Sequence, residues 1–422
     1  MDIFAYLLLF FLPFERIPSL QFHGVTVRIS VILLIVAFFT VLPWLYVRRR
    51  LGPRSLLDTA IMVFAAIAIL SSVFASEHSR SLEVVVFLAS TILGYVVISR
   101  LLRGMFPIIK VLQTVVASGT ITSLFGLYQF VGNSEGLAMK WTGLSTQYSK
   151  VVFSFPRVQS VGLEPLYFGN FLFFPILMLG TFLLTLERKP RWYELLSLLI
   201  MLVAFCLTLS RGAYSGILGG TVLLIVIFMA LRQIPRNLLL VGGVAIASIL
   251  ISLGAIQAVS GSKGVQTFSH QATVTDTKTT SASVTPRLAN FKEAWRLFKT
   301  KPVLGIGIGN YGIENTVSPH VPGGAYMIVN DQYLETLAET GILGFLALVG
   351  IIVTAFLSLK NAMLPTKDRW ITYALAATFL GILIQYTTMS TIYLLYLWTV
   401  LALIEACSYQ KPGSHPGSPA ME

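Results

Sequence analysis

Charge is scarce in this chain. Only 11% of its 422 residues are Asp, Glu, Lys or Arg, while 55% are hydrophobic. Soluble domains carry about 25% charged residues, so a soluble enzyme is excluded. Cysteine is almost absent. Cys206 and Cys407 both lie inside apolar runs, which excludes a disulfide framework and a cysteine-based zinc site. The five histidines, His23, His78, His270, His320 and His415, are scattered without ligand spacing, and no metal is expected. Alternating segments of about ten residues, the mark of a β-barrel, are missing. So is an internal repeat, which a flippase or transporter would favour.

What fills the chain instead is long apolar runs. Mean hydropathy is +0.79, and a bilayer core takes roughly 20 apolar residues per helix. The reading is an all-α polytopic membrane protein with about twelve spans. We place them at 3–14, 29–47, 56–75, 82–99, 106–131, 165–186, 195–210, 212–231, 238–258, 334–358, 370–388 and 391–407. The first run is short and contains Pro13. It lacks the basic n-region and cleavage site of a signal peptide and is kept as a span.

Orientation follows from the basic residues. An inward N-terminus puts sixteen of the thirty Lys and Arg in cytoplasmic loops. Of the fourteen outside, seven fall in one long loop, 259–333, whose translocation ignores charge, so the fair comparison is sixteen against seven. The +12 net charge is therefore read as topology plus an anionic substrate, not as nucleic-acid binding. Residues 1–258 hold nine spans with an outer segment at 132–164, and 334–407 hold three more. The tail at 408–422 carries three prolines and two glycines and is expected to be disordered and cytoplasmic.

The long loop is uneven. Ser269 to Thr285 has nine Ser or Thr in seventeen residues and is expected to be mobile. Residues 287–300 read as an amphipathic helix on the outer leaflet. Leu288, Phe291, Trp295 and Phe298 share one face, and Lys292, Arg296 and Lys299 another.

Few polar residues fall near membrane depth. Arg211, in Ser210-Arg211-Gly212, lies between two apolar runs. A charge there marks a substrate pathway or snorkels at a helix end. Arg157 and Arg287 also sit on the outer side near membrane boundaries. Three outer arginines could converge on one anion, and the guanidinium fork suits phosphate oxygens. Glu164-Pro165 opens a span. Its carboxylate serves either the helix start or acid–base chemistry. Asn330-Asp331 opens the tenth span. Asp331, Glu335 and Glu339 are spaced i, i+4, i+8 and share a helix face, although Asp331 could equally be a cap. Gly305 to Gly309 is no nucleotide motif, since no strand–turn–helix surrounds it. Close packing, or amides presented to phosphate, is the better reading.

The motifs together resemble a known group. Lys301-Pro302-Val303-Leu304-Gly305-Ile306-Gly307-Ile308-Gly309-Asn310-Tyr311 looks like the central signature of the O-antigen ligase and polysaccharide polymerase family. So do Leu209-Ser210-Arg211-Gly212 and the stretch from Asn330 to Glu339-Thr340-Gly341-Ile342-Leu343-Gly344. Leu12-Pro13-Phe14-Glu15-Arg16 and the segment from Arg157 to Pro165 look like the exopolysaccharide polymerase branch. The resemblance implies a bacterial inner-membrane glycosyltransferase without cofactor or metal, its active site facing the periplasm. It implies an undecaprenyl diphosphate-linked glycan as donor, and as acceptor another carrier-linked glycan or lipid A-core. A chain-length regulator and a flippase are implied partners. In this light Arg157, Arg211, Arg287 and Arg296 bind the diphosphate. Asp331, Glu164, Asn330 and Arg211 are the catalytic candidates. Ligases of this group carry His then Asn where this chain has Asn330 then Asp331. That departure favours a polymerase of repeat units over a ligase.

Overall fold

The computed structural model describes residues 3–17, 19–22, 25–48, 54–103, 108–272, 277–315, 327–362 and 368–409. The expected disordered tail falls outside them from residue 410 onward. Helices dominate. In chain order they are α1 (Ile3–Phe10), α2 (Ile29–Val47), α3 (Leu56–Val73), α4 (His78–Leu102), α5 (Ile108–Ser134), α6 (Met139–Thr142), α7 (Lys150–Phe153), α8 (Pro165–Thr185), α9 (Trp192–Cys206), α10 (Arg211–Ala230), α11 (Leu238–Ala272), α12 (Thr277–Thr300), α13 (Tyr311–Glu314), α14 (Gln332–Asn361), α15 (Arg369–Gln385) and α16 (Leu395–Ser408).

Eight of the described helices, α2–α5, α8, α10, α11 and α14, are long and apolar enough to cross a membrane. Helices α9, α15 and α16 are apolar but shorter. The chain is thus a polytopic α-helical membrane protein. The first expected span shrinks to eight residues in α1, about 12 Å at 1.5 Å per residue. The all-α expectation needs one correction. Ser19–Phe22 (β1) and Val25–Arg28 (β2) pair as an antiparallel hairpin, Ser19 opposite Arg28. Alternating Val25, Thr26 and Val27 favour extended backbone, and their run is too short for a span. The amphipathic helix is also longer than expected, since α12 starts at Thr277. The stretch expected to be mobile is helical on both sides of residues 273–276, which lie outside the described set.

Helix α8 runs through the interior, and Phe168, Phe171, Phe173 and Phe174 on it are almost fully buried. Helix α11 is peripheral: Leu239 and Leu250 are exposed, as lipid-facing side chains are. Helices α10 and α15 meet closely because glycine and alanine face each other. A Cβ added at Gly216 would lie 2.9 Å from the Gly381 carbonyl, and one at Gly220 2.7 Å from that of Ala377. Small residues permit this approach where no hydrophobic effect drives helices together.

One end of the bundle is tied by buried charge. Ser55 and Asp58 form a capping box at the start of α3. The Asp58 carboxylate also accepts from Tyr95 Oη at 2.8 Å and Arg100 Nη2 at 2.5 Å. Arg103 reaches Glu405 of α16 at 2.7 Å. All four ionised residues are buried or nearly so. Removing one partner of such a pair leaves the other uncompensated, at about 3–5 kcal/mol. Asp58→Ala should therefore lower the thermal midpoint of the purified protein strongly. Glu83→Ala, which removes an exposed i,i+3 pair with Arg80, should shift stability by no more than about 0.5 kcal/mol.

Candidate active site

The site starts from a broken helix. Gly341 of α14 has φ 67°, outside helical values. In an unbroken helix Ile342 N and Leu343 N would donate to the carbonyls of Ala338 and Glu339. Here they turn to the carbonyls of Pro302 and Val303, at 2.9 and 3.4 Å. The freed carbonyls are taken by the incoming loop. Ile306 N donates to Ala338 O and Gly307 N to Glu339 O, each at 3.0 Å. Ser71 Oγ adds a bond to Glu339 O at 2.7 Å. The kink thus exchanges partners and leaves none of these four groups orphaned. It requires glycine at both contacts. A Cβ at Gly341 would lie 2.3 Å from the Val303 carbonyl oxygen, and Gly305, at φ 70°, would press one to 2.3 Å from the Glu339 carbonyl carbon.

The Glu339 side chain completes the dock. Its Oε2 accepts from Gly309 N at 2.8 Å and its Oε1 from Tyr311 N at 3.0 Å. Asn310 then clamps the loop to the start of α4: Oδ1 accepts from Glu77 N at 2.9 Å, and Nδ2 donates to Ser81 Oγ at 2.7 Å. The glycine motif is therefore a packing device, and these two amides serve a carboxylate of the chain itself.

Docking α4, α14 and the loop together encloses a cavity of about 310 Å³. Arg28, Arg80, Glu335 and Glu339 line it, with Tyr167 and Tyr393, and with Ser390 and Thr391 at another wall. Glu335 accepts from Val329 N at 2.9 Å. Gln332 fixes the wall opposite, accepting from Ile392 N at 2.9 Å. These lining residues come from the end of β2, from the N-terminal ends of α4, α8 and α14 and from the loop before α16. Beneath the hairpin lies a further acid. Glu15 is buried and accepts from Leu163 N at 3.3 Å. Burial pushes its carboxyl up to about 7; the nearby Arg28 charge opposes this and Glu164 adds to it.

Arg211 and Arg287 are brought within electrostatic reach of each other. Burial first, and then the Arg211 charge, disfavour the protonated form of Arg287. Arg211 opens α10 behind the Ser210 cap, whose Oγ accepts from Ala213 N. That helix start packs against Thr388 and Leu166 at Gly212. Arg211 itself stands at the positive end of a helix.

The other expected residues divide. Arg157 is turned to backbone: Nε and Nη2 donate to Thr208 O at 3.0 and 2.8 Å, and Nη2 to Leu209 O at 3.1 Å. It holds the turn that presents Arg211, where Leu209 has φ 52°. Glu164 stands at the N-cap of α8, beside Arg157 and Tyr148. Partial desolvation raises its carboxyl, and those two neighbours pull it back. Asp331 caps α14, accepting from Leu334 N at 2.9 Å. Burial raises its carboxyl against the backbone bonds. Asn330 beside it has φ 62°. Arg296 lies apart, in a bidentate pair with Glu293 at 2.7 and 2.8 Å. Of the acidic face, Glu335 and Glu339 line the cavity and Asp331 does not.

Sequence reasoning missed Arg28, Arg80, Tyr167 and Tyr393. Nothing in a linear pattern gathers positions so far apart. Arg80 offered a faint signal, a lone outer arginine at a span start. Among the described residues no three His, Cys, Asp or Glu side chains are grouped to hold a metal.

Residues 196–349 match the family model described as O-antigen ligase. The match is to the family that the motifs resemble; it spans 154 of the 422 residues and takes in the motifs at 209–212, 301–311 and 330–344, while those at 12–16 and 157–165 lie outside it. The matched segment contains Arg211, Arg287, the glycine loop, Asn330, Asp331 and both cavity carboxylates of α14. Arg28, Arg80, Arg157 and Glu164 lie outside it. No curated protein matches the chain.

Glu339→Gln should test the dock. The amide can accept at only one of its two terminal atoms, so one of the two loop amides loses its acceptor. An unsatisfied buried donor costs about 1–3 kcal/mol. The variant should open to proteolysis within residues 301–315 at concentrations that leave the parent intact. A digestion pattern identical to the parent's would show that the carboxylate does not hold the loop.

Proposed function

We propose that the protein is an inner-membrane glycosyltransferase that moves a glycan from an undecaprenyl diphosphate carrier to an acceptor sugar hydroxyl on the periplasmic side. In our reading its reaction is polymerisation of carrier-linked repeat units of an O-antigen, capsule or exopolysaccharide. The observation that carries this is the cavity lined by Arg28, Arg80, Glu335, Glu339, Tyr167 and Tyr393, with Arg211 and Arg287 elsewhere within electrostatic reach of each other. The chemistry needs both parts. A diphosphate is already a good leaving group and gains from cations that meet its developing charge. The acceptor hydroxyl needs a base, and a sugar suits a cavity with aromatic walls and hydrogen-bonding rims.

In this reading Arg211 and Arg287 hold the diphosphate, and Arg157 sets the turn beneath Arg211. Asp331 is the base. It stands at the opening of α14, where burial raises its carboxyl against the backbone bonds of the cap. Glu164, held by Arg157 and Tyr148, orients the acceptor. Asn330 stands beside the base, and Arg296 remains at the rim with the lipid-facing side of α12. The eight long and three shorter apolar helices support up to eleven of the twelve proposed spans, and α1 with residues 11–14 is proposed as the remaining one. The helices that open at the cavity, α4, α8 and α14, are the ones that the basic-residue count starts from outside.

Ligation of a carrier-linked glycan to lipid A-core is the second reading, favoured by the matched family's description. Asn330 and Asp331 in place of the His-Asn expected of ligases weigh against it.

Arg211→Ala and Arg287→Ala should each cut glycan transfer in cells by about 10²–10³, with the protein still present in the membrane. Lysine should rescue poorly, because a point charge does not replace the fork. Asp331→Asn should reduce transfer more than Glu164→Gln. Near-normal polymer from either alanine variant would remove that arginine from the site.

A further inference from the structure

A second cavity lies at the other end of α4, away from the candidate active site. It measures about 210 Å³ and is formed between α3 and α4. Its walls change character along the helices. At the helix ends stand Arg54, Arg100 and Asp58; one to two turns deeper stand Ile61, Met62, Ile92 and Val96, with Tyr95 between. Asp58 is the one carboxylate in the lining. It is already shared among Arg100, Tyr95 and the Ser55 amide. Arg54 stands exposed ahead of the Ser55 cap. Met62 is 48% exposed and opens the apolar part toward the surrounding bilayer.

A basic rim above an apolar furrow matches one class of molecule, with phosphate at one end and hydrocarbon at the other. We infer that this cavity is a binding site for an anionic phospholipid of the leaflet opposite the active site. The phosphate meets Arg54, and the Arg100 side chain, buried and held on Asp58, closes the inner end of the rim. The first part of an acyl chain lies along Ile61, Met62, Ile92 and Val96. Basic pockets between membrane helices bind anionic headgroups in this manner. Arg100 is held in place by Asp58, so its position is set before the lipid arrives. No part of the glycan-transfer reading is needed for this site.

Native mass spectrometry of the purified full chain tests it, with phosphatidylglycerol, phosphatidylcholine and inorganic phosphate as probes. One phosphatidylglycerol should be retained per chain, in preference to phosphatidylcholine. Arg54→Gln should weaken retention about fivefold, the effect of one basic residue at a membrane surface. Met62→Trp, which fills the furrow, should weaken it too while the thermal midpoint stays unchanged. Equal retention of the two lipids, or retention unaffected by both substitutions, would overturn the site. Displacement of the lipid by inorganic phosphate at millimolar concentration would also overturn it, since the apolar furrow would then contribute nothing.

Discussion

The exchange of backbone partners at Gly341 is the constraint on which the rest of the site depends. A membrane helix has no water to satisfy a broken turn. The chain therefore breaks α14 only where the loop at 302–307 supplies replacement donors and acceptors. The bonds from Ile306 and Gly307 into α14, and from Ile342 and Leu343 back into the loop, run in opposite senses and close the seam. Glycine at 305 and 341 lets the two backbones meet. Once the seam closes, Glu339 is fixed from two sides, Asn310 reaches the start of α4, and Arg80 is carried to the same cavity as Glu335.

That arrangement sorts charge by task. Asp58, Arg100, Arg103 and Glu405 neutralise one another at one end and tie α3, α4 and α16 together. At the other end several charged side chains are held by backbone: Arg157 by the carbonyls of Thr208 and Leu209, Arg16 by the carbonyls of Gly143, Ser160 and Gly162, Glu339 by loop amides.

Much of this was legible in the sequence. Low charge and long apolar runs imposed a helical membrane fold. The i, i+4 spacing of Glu335 and Glu339 placed both on one face, and both reach the cavity. The expected convergence of arginines on one anion is proposed for Arg211 and Arg287, whose charges act on each other. It does not extend to Arg157 and Arg296, whose partners, the carbonyls of Thr208 and Leu209 and the Glu293 carboxylate, become visible only in three dimensions. Asp331 was legible as both a cap and an acid, and the fold makes it a cap with a raised carboxyl. The hairpin that carries Arg28 was not foreseen: its short extended run has no turn signature strong enough to stand out beside twelve apolar segments. Arg80 and the tyrosines were hidden because the contacts that unite them span most of the chain.

The central claim is that paired arginines and a carboxylate-lined cavity transfer glycan between carrier lipids. The most direct measurement is made on the purified protein in membranes, with undecaprenyl diphosphate-linked repeat units as the sole glycan, no nucleotide, and a chelator present. The account predicts a ladder of longer carrier-linked chains that grows with time and is lost in Arg287→Ala. Products that form only when lipid A-core is added, each core gaining one preformed glycan, would contradict polymerisation. No transfer to either acceptor would contradict the account as a whole.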